Sequence, residues 1–262
     1  MKISTVLRTV YIITTLLCIV MASVVIIQTL YNREACERPD DPFLPRDMLK
    51  KYNGKTFVKI AHILPAPFWS ICIPLQFHPG LRKSYPKFHK YLGRAFICTS
   101  HLLMTGVVSI LYNGITFEHY VNSENDENPY KITRMFGTRY SFNDLSACTI
   151  ILPFLYTAWV AIRYAKQRDY FNHKIWVMRH CSWGVWVMVQ RAIVVIVVTL
   201  SHILYGDQVV TSGSFKARAF WWPVYAAIII TVGTTEYCIY LMKQERKKTT
   251  KRNWSCFSYY IT

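Results

Sequence analysis

The chain has 262 residues, of which 52% are hydrophobic and 15% aromatic, and its formal net charge at pH 7 is +17. Its apolar residues come in long runs that match the roughly 18 or more residues needed to cross the hydrocarbon core of a bilayer. This distribution excludes an ordinary soluble domain. The positive charge lies mostly in short segments beside the runs, which is typical of membrane topology signals rather than of a nucleic-acid-binding surface.

Six apolar runs predict six transmembrane helices in an all-α integral membrane bundle. The runs cover residues 6–31, 57–77, 95–112, 145–165, 179–205 and 219–242. The first is longer than the apolar region of a cleaved signal peptide, so we expect a retained helix, with cleavage near Ala22 as the alternative. The second contains Pro65, Pro67 and Pro74 and is expected to be kinked, because proline lacks the backbone N–H of a regular helix.

Basic residues cluster after the second, fourth and sixth runs, in segments 82–94, 163–174 and 243–252. In a six-helix chain these segments lie on one side, which the positive-inside rule assigns to the cytoplasm. The N and C termini are then both cytoplasmic, and the acidic segment 118–127 lies outside. We expect the partners of the basic segments to be the lipid bilayer and its anionic headgroups at the cytoplasmic face, with no nucleic acid. The sequence indicates neither the particular membrane nor the oligomeric state.

The chain is expected to divide into four parts. Residues 1–56 form the first helix and an outer loop, 57–205 a four-helix membrane core, 206–242 the sixth helix and 243–262 a basic cytoplasmic tail. Six of the eight cysteines lie in or at apolar runs, and we expect them to be small buried apolar residues. They are Cys18, Cys72, Cys98, Cys148, Cys181 and Cys238. We predict no disulfide framework and no metal site.

Two charged residues lie within the apolar runs. Arg191 is about ten residues into the fifth run, and Glu236 is about six residues from the inner end of the sixth, so their depths nearly match. A charge at such a depth is costly and normally faces the bundle or a water-filled cavity, so we predict that the two residues pair. The pair would either fix the helix register or form part of a ligand or proton site.

Histidines occur in two layers of the predicted bundle. His62 and His202 lie near the outer surface, whereas His101 and His180 lie toward the inner surface. Two b-type haems would need such layers, since each haem takes two axial imidazoles at a common depth. The outer pair matches well in depth, and the inner pair is offset by roughly 9 Å. Haem b is therefore a candidate cofactor with these four histidines as ligands, and a hydrogen-bonded packing role for each histidine is the alternative.

Three short motifs lie between the second and fifth runs. The first is Leu75-Gln76-Phe77 followed by Pro79, Gly80, Leu81 and Arg82, the second is His89-Lys90-Tyr91-Leu92-Gly93-Arg94, and the third runs from His173 through Trp176 and Met178 to Arg179. Together they resemble a family of predicted membrane proteins that share a domain of unknown function, number 2306. The motif at His89 is similar to the family's His-Arg-x-x-Gly-Arg element, and the motif at His173 is similar to its His-x-x-Trp-Met-x-Arg element. The chain departs from these in Lys90, where arginine is usual, and in Val177, which separates Trp176 from Met178.

The resemblance covers His62 to Arg191, about half of the chain, and Arg191 sits where such proteins carry a further membrane arginine. It implies a helical membrane domain without an established activity. The motifs at His89 and His173 each end where a basic loop re-enters the membrane, and Gly93 would allow close helix approach there. Their His89, Arg94, His173 and Arg179 could converge at the inner mouth of the bundle, where they would suit an anionic headgroup, a phosphate or a haem propionate. Ordinary snorkelling of basic residues is the alternative.

Three functions follow from these features. The leading hypothesis is a b-type haem-binding or redox membrane protein, in which Arg94 and Arg179 would contact the propionates. The second is a bundle that binds or transports a polar or anionic ligand beside Arg191 and Glu236, and the broken second helix favours this class. The third is a membrane scaffold without its own chemistry. The absence of a nucleophile elbow, a phosphate loop and a zinc-protease helix argues against a hydrolase, and whether the protein is an enzyme stays open.

Overall fold

The structure is a computed structural model that describes residues 3–35, 54–113, 131–135, 138–206 and 213–258, with side chains described for 5–27, 54–113, 149–206, 215, 219 and 222–250. This part of the chain is helical apart from one short β-hairpin. The helices are α1 (Ile3–Ala35), α2 (Thr56–Phe77), α3 (Pro79–Ser84), α4 (Pro86–Tyr112), α5 (Phe142–Lys166), α6 (Tyr170–Tyr205) and α7 (Gly213–Ser258). The antiparallel hairpin pairs β1 (Lys131–Met135) with β2 (Thr138–Ser141). The sequence did not predict this hairpin.

Five helices in the described part of the chain are long and apolar enough to cross a membrane. The candidate spans are Thr5–Ile27, Thr56–Phe77, Pro86–Tyr112, Tyr170–Tyr205 and Trp222–Thr250. They correspond to the first, second, third, fifth and sixth predicted runs. Large apolar side chains cover their outer surfaces, including Leu16 on α1 at 58% exposed and Ile203 on α6 at 70%. Such surfaces suit lipid rather than water, and the chain has the fold of a multi-pass helical membrane protein.

The fourth predicted run lies in α5, which is not among the five candidate spans. This helix has 25 residues, or about 37 Å at 1.5 Å per residue, but Arg163 and Lys166 occupy its last turn. Residues 167–169 connect it to α6. The two helices are antiparallel, because Ala161 contacts His173 while Phe154 contacts His180. A sixth span therefore stays a prediction.

The helix α2 has an irregular turn just before its first proline. Lys59–Ile63 form a π-helical turn immediately before Pro65, in which the Leu64 N–H donates to the Lys59 carbonyl at 3.0 Å. Pro65 and Pro67 cannot donate to the carbonyls four residues earlier, and the wider turn rearranges the hydrogen bonds that they interrupt. The irregular turn precedes the prolines, and the kink expected in this helix stays a prediction.

The core lies where α1, α2, α4, α5 and α6 meet. Its buried side chains are Cys18, Trp69, Cys72, Ile73, Phe96, Leu103, Phe154, Cys181, Val185 and Met188. Two glycines make the close packing possible. A Cβ at Gly106 would lie 2.6 Å from the Cβ of His62 and 2.9 Å from the Ala61 carbonyl carbon, and a Cβ at Gly184 would overlap the Trp69 indole. By contrast, a Cβ at Gly93 would lie 3.6 Å from the Gln76 side chain, which is an ordinary contact. The close approach between helices that was expected at Gly93 occurs at Gly106 and Gly184 instead.

Four of the cysteines expected to be buried are buried. These are Cys18, Cys72, Cys181 and Cys238. The expectation is wrong for Cys98, whose side chain is exposed on α4, and the side chain of Cys148 lies outside the described residues.

The basic segments predicted to share one side of the membrane lie at one end of the bundle. Arg82 on α3 is an electrostatic neighbour of both His89 on α4 and Lys174 on α6. Arg246 on α7 places its guanidinium carbon 4.3 Å from the centroid of the Phe171 ring on α6. We call this the inner end. The helix α7 continues to Ser258, so most of the predicted tail is helical.

An aspartate begins α6 at the inner end. The Asp169 carboxylate accepts hydrogen bonds from the backbone N–H of Asn172 at 3.1 Å and from its side-chain amide at 2.6 Å. These bonds, with a smaller contribution from Arg246, hold the pKa of the Asp169 carboxyl below its usual value. The cap fixes the start of α6 and therefore the depth of the side chains along it.

Candidate functional site

His180 forms a closed hydrogen-bonded unit at the centre of the bundle. Its side chain is fully buried, and its Nδ1 lies 3.0 Å from the Phe154 carbonyl. A carbonyl can only accept, so Nδ1 carries the proton and Nε2 is the acceptor. The Ser100 hydroxyl lies 2.9 Å from Nε2 and also 2.9 Å from the Phe96 carbonyl of its own helix, so these two acceptors share its one proton, while the Trp69 indole N–H donates to the Ser100 oxygen at 2.8 Å.

Three aromatic rings enclose this imidazole. The ring centroids of Phe154, Phe96 and Trp69 lie 4.3, 5.5 and 6.3 Å from that of His180. The surrounding side chains come from α2, α4 and α5, so the unit connects four helices. These contacts match the packing role that was the alternative to haem ligation.

The other candidate haem ligands lie in different surroundings. His101 is exposed on α4, with its Nδ1 2.8 Å from the Ile97 carbonyl of the same helix. His62 lies on the π-helical turn, half-buried, with its Nδ1 3.3 Å from the Leu103 carbonyl, and His202 is exposed in the last turn of α6. Iron ligation by His180 would require loss of a bond to Ser100 or Phe154. The inner pair is therefore not arranged as two ready ligands, and haem binding stays a prediction that these contacts do not favour.

Arg179 is the partner of Glu236. Its Nε and one terminal nitrogen donate to the two carboxylate oxygens at 2.6 and 2.9 Å. The guanidinium also lies over the Trp176 ring, with its central carbon 4.6 Å from the ring centroid. Glu236 was expected to pair with Arg191, which is half-buried further along α6. Arg179 takes that place instead, because it lies on the side of α6 that faces α7.

The Arg179–Glu236 pair is expected to be coupled energetically. A double-mutant cycle with Arg179→Gln and Glu236→Gln, measured by thermal unfolding in detergent, should give an interaction energy of about 1 kcal/mol. The value is small because Glu236 is 46% exposed and Arg179 is 25% exposed. The matched control is Glu245→Gln, an exposed glutamate on the same helix, which should show no coupling to Arg179→Gln. Equal coupling in both cycles would contradict a specific pair.

The inner cluster expected from the motifs forms only in part. His89 and His173 are electrostatic neighbours beside Arg82. His173 has its Nδ1 2.9 Å from the Ala161 carbonyl, whereas the buried Nδ1 of His89 has no hydrogen-bond partner among the described residues. Arg94 is exposed, with its guanidinium carbon 5.7 Å from the Tyr91 ring centroid, and Arg179 is engaged by Glu236. The two histidines therefore come together without these two arginines.

A cavity of about 420 Å³ lies between α1, α2, α6 and α7. Its walls are mainly aliphatic and aromatic side chains with several threonines. The hydroxyls of Thr15, Ser182 and Thr231 donate to carbonyls of their own helices, at 2.8, 2.7 and 2.8 Å. These groups consequently present little free hydrogen-bonding capacity to a ligand. The volume falls in the range of about 300–1,000 Å³ that is typical of small-molecule sites.

One cation lines this otherwise uncharged cavity. Lys174 lies at its inner end, beside Phe77 and Met178. Its side chain is half-buried, and no carboxylate among the described residues pairs with it. A positive charge with no carboxylate beside it attracts anions, and its partial burial strengthens that attraction. Lys174 therefore favours an anionic group near the cavity's inner end.

Sequence reasoning missed the residues that matter most in this geometry. Lys174 was counted only as a topology signal, and Trp69 and Ser100 were not singled out. The cavity joins residues from Leu7 to Met242, and no local spacing brings such positions together. The sequence held one signal for Ser100. It is adjacent to His101 on the same helix, and adjacent helical residues face different directions, so Ser100 can face the bundle when His101 faces outward.

No family model, curated protein or solved structure matches this chain. The likeness to the domain of unknown function thus rests on its three motifs and stays a prediction.

Proposed function

We propose that this membrane protein binds an amphipathic molecule with one acyl-like chain and an anionic head. The observation that carries the proposal is the cavity between α1, α2, α6 and α7, whose only charged lining residue in the described part of the chain is Lys174. The apolar walls would enclose the chain, and the ammonium would bind the head. Burial of an apolar chain contributes about 25 cal/mol per Å² removed from water, and the charge selects among molecules with similar chains.

The surroundings of Lys174 support an anionic head at the inner end. Arg82 is its electrostatic neighbour and is also a neighbour of His89. An anion beside Lys174 would therefore experience several positive or hydrogen-bonding groups from α3, α4 and α6. This arrangement resembles the anionic-ligand bundle predicted from the sequence, but with Lys174 in place of the Arg191–Glu236 pair.

We also propose six membrane spans with both termini cytoplasmic. The meeting of all three basic segments at the inner end supports this topology, because the positive-inside rule places them together on the cytoplasmic side. The length of α5 supports its role as the additional span. Lys174 would then lie at the cytoplasmic boundary, where a ligand head can exchange with the inner leaflet.

Thermal unfolding of the full chain in an uncharged detergent tests the proposal, with oleate and oleyl alcohol as the two probes. Oleate is expected to raise the Tm, because a ligand at about 100 times its Kd stabilises the folded state by roughly 2.7 kcal/mol. Oleyl alcohol has the same chain without the charge and should give a smaller shift. Lys174→Gln should reduce the oleate shift to that of the alcohol, and Thr234→Trp, which fills the cavity, should abolish both shifts.

The control is Lys90→Gln, which removes an exposed lysine near the inner end that does not line the cavity. It should leave the difference between oleate and oleyl alcohol unchanged. Equal shifts by both probes would contradict selection by charge, and no shift by either would contradict the binding function. A b-type band in the reduced-minus-oxidised spectrum of the purified protein, lost in His62→Ala, would favour haem binding instead.

A further inference from the structure

One face of α4 is exposed along most of the helix. Its residues follow alternating spacings of three and four, and each is exposed. They are Tyr91, Arg94, Cys98, His101, Thr105, Val108 and Tyr112. The opposite face carries Phe96, Ser100, Leu103, Gly106 and Leu111, which are buried against the bundle. An average spacing of 3.5 residues is the pattern of a seam between two helices that cross at a shallow left-handed angle.

The middle of this seam is too polar for a lipid-facing surface. Cys98, His101 and Thr105 occupy the central two turns of an α4 span that otherwise suits lipid. The Nδ1 of His101 faces the Ile97 carbonyl at 2.8 Å and must carry the proton, so Nε2 is an acceptor. Among the described residues, nothing donates to Nε2. In the hydrocarbon region an acceptor without a partner is costly, because no water replaces the missing bond.

We infer that this face of α4 packs against α4 of a second copy of the chain, which makes the protein a symmetric dimer within the bilayer. Both copies have the same orientation in the membrane, so the two helices are parallel and related by a two-fold axis along the membrane normal. Each His101 then lies next to its symmetry mate, within one turn of the other copy's Cys98 and Thr105. The Cys98 thiol of the other copy is the donor that Nε2 requires.

The same face is suited to pairing with itself in shape and charge. Cys98 and Thr105 have small side chains, which allow two helices in a membrane to approach closely. Thr105 donates to carbonyls of its own helix, so it adds no unpaired group to the seam. Arg94, the one charged member, lies toward the inner end beside the Tyr91 ring, where its guanidinium can reach the membrane surface. The one unsatisfied polar group in the middle of the seam, Nε2 of His101, therefore lies where a second copy supplies a donor.

Oxidative cross-linking through Cys98 tests the dimer. The starting variant replaces Cys36, Cys148 and Cys256 with serine, which leaves Cys98 as the exposed cysteine among those described. After reconstitution in phosphatidylcholine vesicles and treatment with copper phenanthroline, we expect a covalent dimer of twice the monomer mass. The first control adds Cys98→Ser. The second adds Cys98→Ser together with Ile196→Cys, at a position 56% exposed on α6. Neither control should form the dimer.

Association without a covalent bond gives a second measurement. Energy transfer between labelled copies, measured as the vesicles are diluted with lipid, should show at least a severalfold weaker dimer for His101→Ala. The matched variant is Leu200→Ala, which shortens an exposed side chain on α6, away from the seam, and it should behave as the unmodified chain. Cross-linking no stronger than for Ile196→Cys, or equal effects of His101→Ala and Leu200→Ala, would overturn the inference. Cross-linking of Cys98 in native membranes to a different protein alone would overturn it as well.

Discussion

Gly106→Ala is expected to lower the free energy of unfolding by about 2–3 kcal/mol or to prevent the protein from accumulating. The added Cβ would lie 2.6 Å from the Cβ of His62 and 2.9 Å from two backbone atoms of Ala61 and His62. A flexible side chain could rotate away, but the backbone of the π-helical turn cannot move without separating α2 from α4. Thermal unfolding of the purified protein in detergent measures the effect.

Gly233→Ala is the matched control, because a Cβ at Gly233 on α7 would meet nothing within 4 Å. Alanine is favoured over glycine in a helix by roughly 1 kcal/mol, so this substitution should leave the Tm unchanged or raise it. If both substitutions lowered the Tm equally, the loss would reflect backbone effects of alanine and not the contact between α2 and α4.

His180→Ala should cost about 3 kcal/mol or more, since two kinds of loss add at this position. A buried ring disappears from among three aromatic neighbours, which leaves a cavity. In addition, the Phe154 carbonyl loses its imidazole donor and keeps only the Thr157 hydroxyl, at 3.0 Å, as a side-chain donor, and the loss of one such hydrogen bond costs about 1 kcal/mol. The midpoint of thermal unfolding measures the sum.

Ser182→Ala provides the control on the same helix. Ser182 is also buried, but its hydroxyl donates only to the Arg179 carbonyl of α6 itself. Its loss should therefore cost well under half of the effect of His180→Ala. Trp69→Phe should fall between the two, because it keeps an aromatic ring while removing the donor to Ser100. A small effect of His180→Ala would show that the unit does not hold the helices together, and would make the imidazole available for ligation.

The sequence predicted the helices well because the bilayer imposes a simple rule on them. A segment in hydrocarbon must satisfy its own backbone hydrogen bonds, so length and apolarity are enough to locate α1, α2, α4, α6 and α7. The prolines of α2 predicted a kink, and the structure has a π-helical turn, Lys59–Ile63, next to them. Counting the membrane crossings between the basic segments predicted that these segments meet at one end of the bundle.

The partner of Glu236 could not be predicted by counting residues along the helices, because the choice depends on which side of α6 faces α7. Arg179 and Arg191 lie twelve residues apart on α6, so at 100° per residue their side chains point about 120° apart. Depth favoured Arg191, but the rotation of α6 about its axis turns Arg179 toward α7. That rotation is set by packing at Gly184 and His180, whose neighbours come from α2, α4 and α5.

The haem hypothesis also depended on tertiary contacts that the sequence does not show. A membrane histidine is equally consistent with ligation and with a hydrogen-bonded core, and the choice depends on what its two nitrogens face. For His180 they face Ser100 and Phe154, which lie 80 and 26 residues away in the chain. The cavity was harder still to predict from the sequence. Lys174 becomes a candidate binding residue only because it lies beside an apolar space that four different helices line.

The helix α7 is much longer than a membrane is thick, so it extends well beyond the bilayer. Its 46 residues correspond to about 69 Å at 1.5 Å per residue, more than twice the roughly 30 Å of the hydrocarbon core. Thr234 and Met242 touch the cavity, while Arg246 of the same helix holds the Phe171 ring at the inner end. If the proposed ligand tilts α7 at the cavity, the length of the helix beyond it would turn a small tilt into a larger displacement of its basic end.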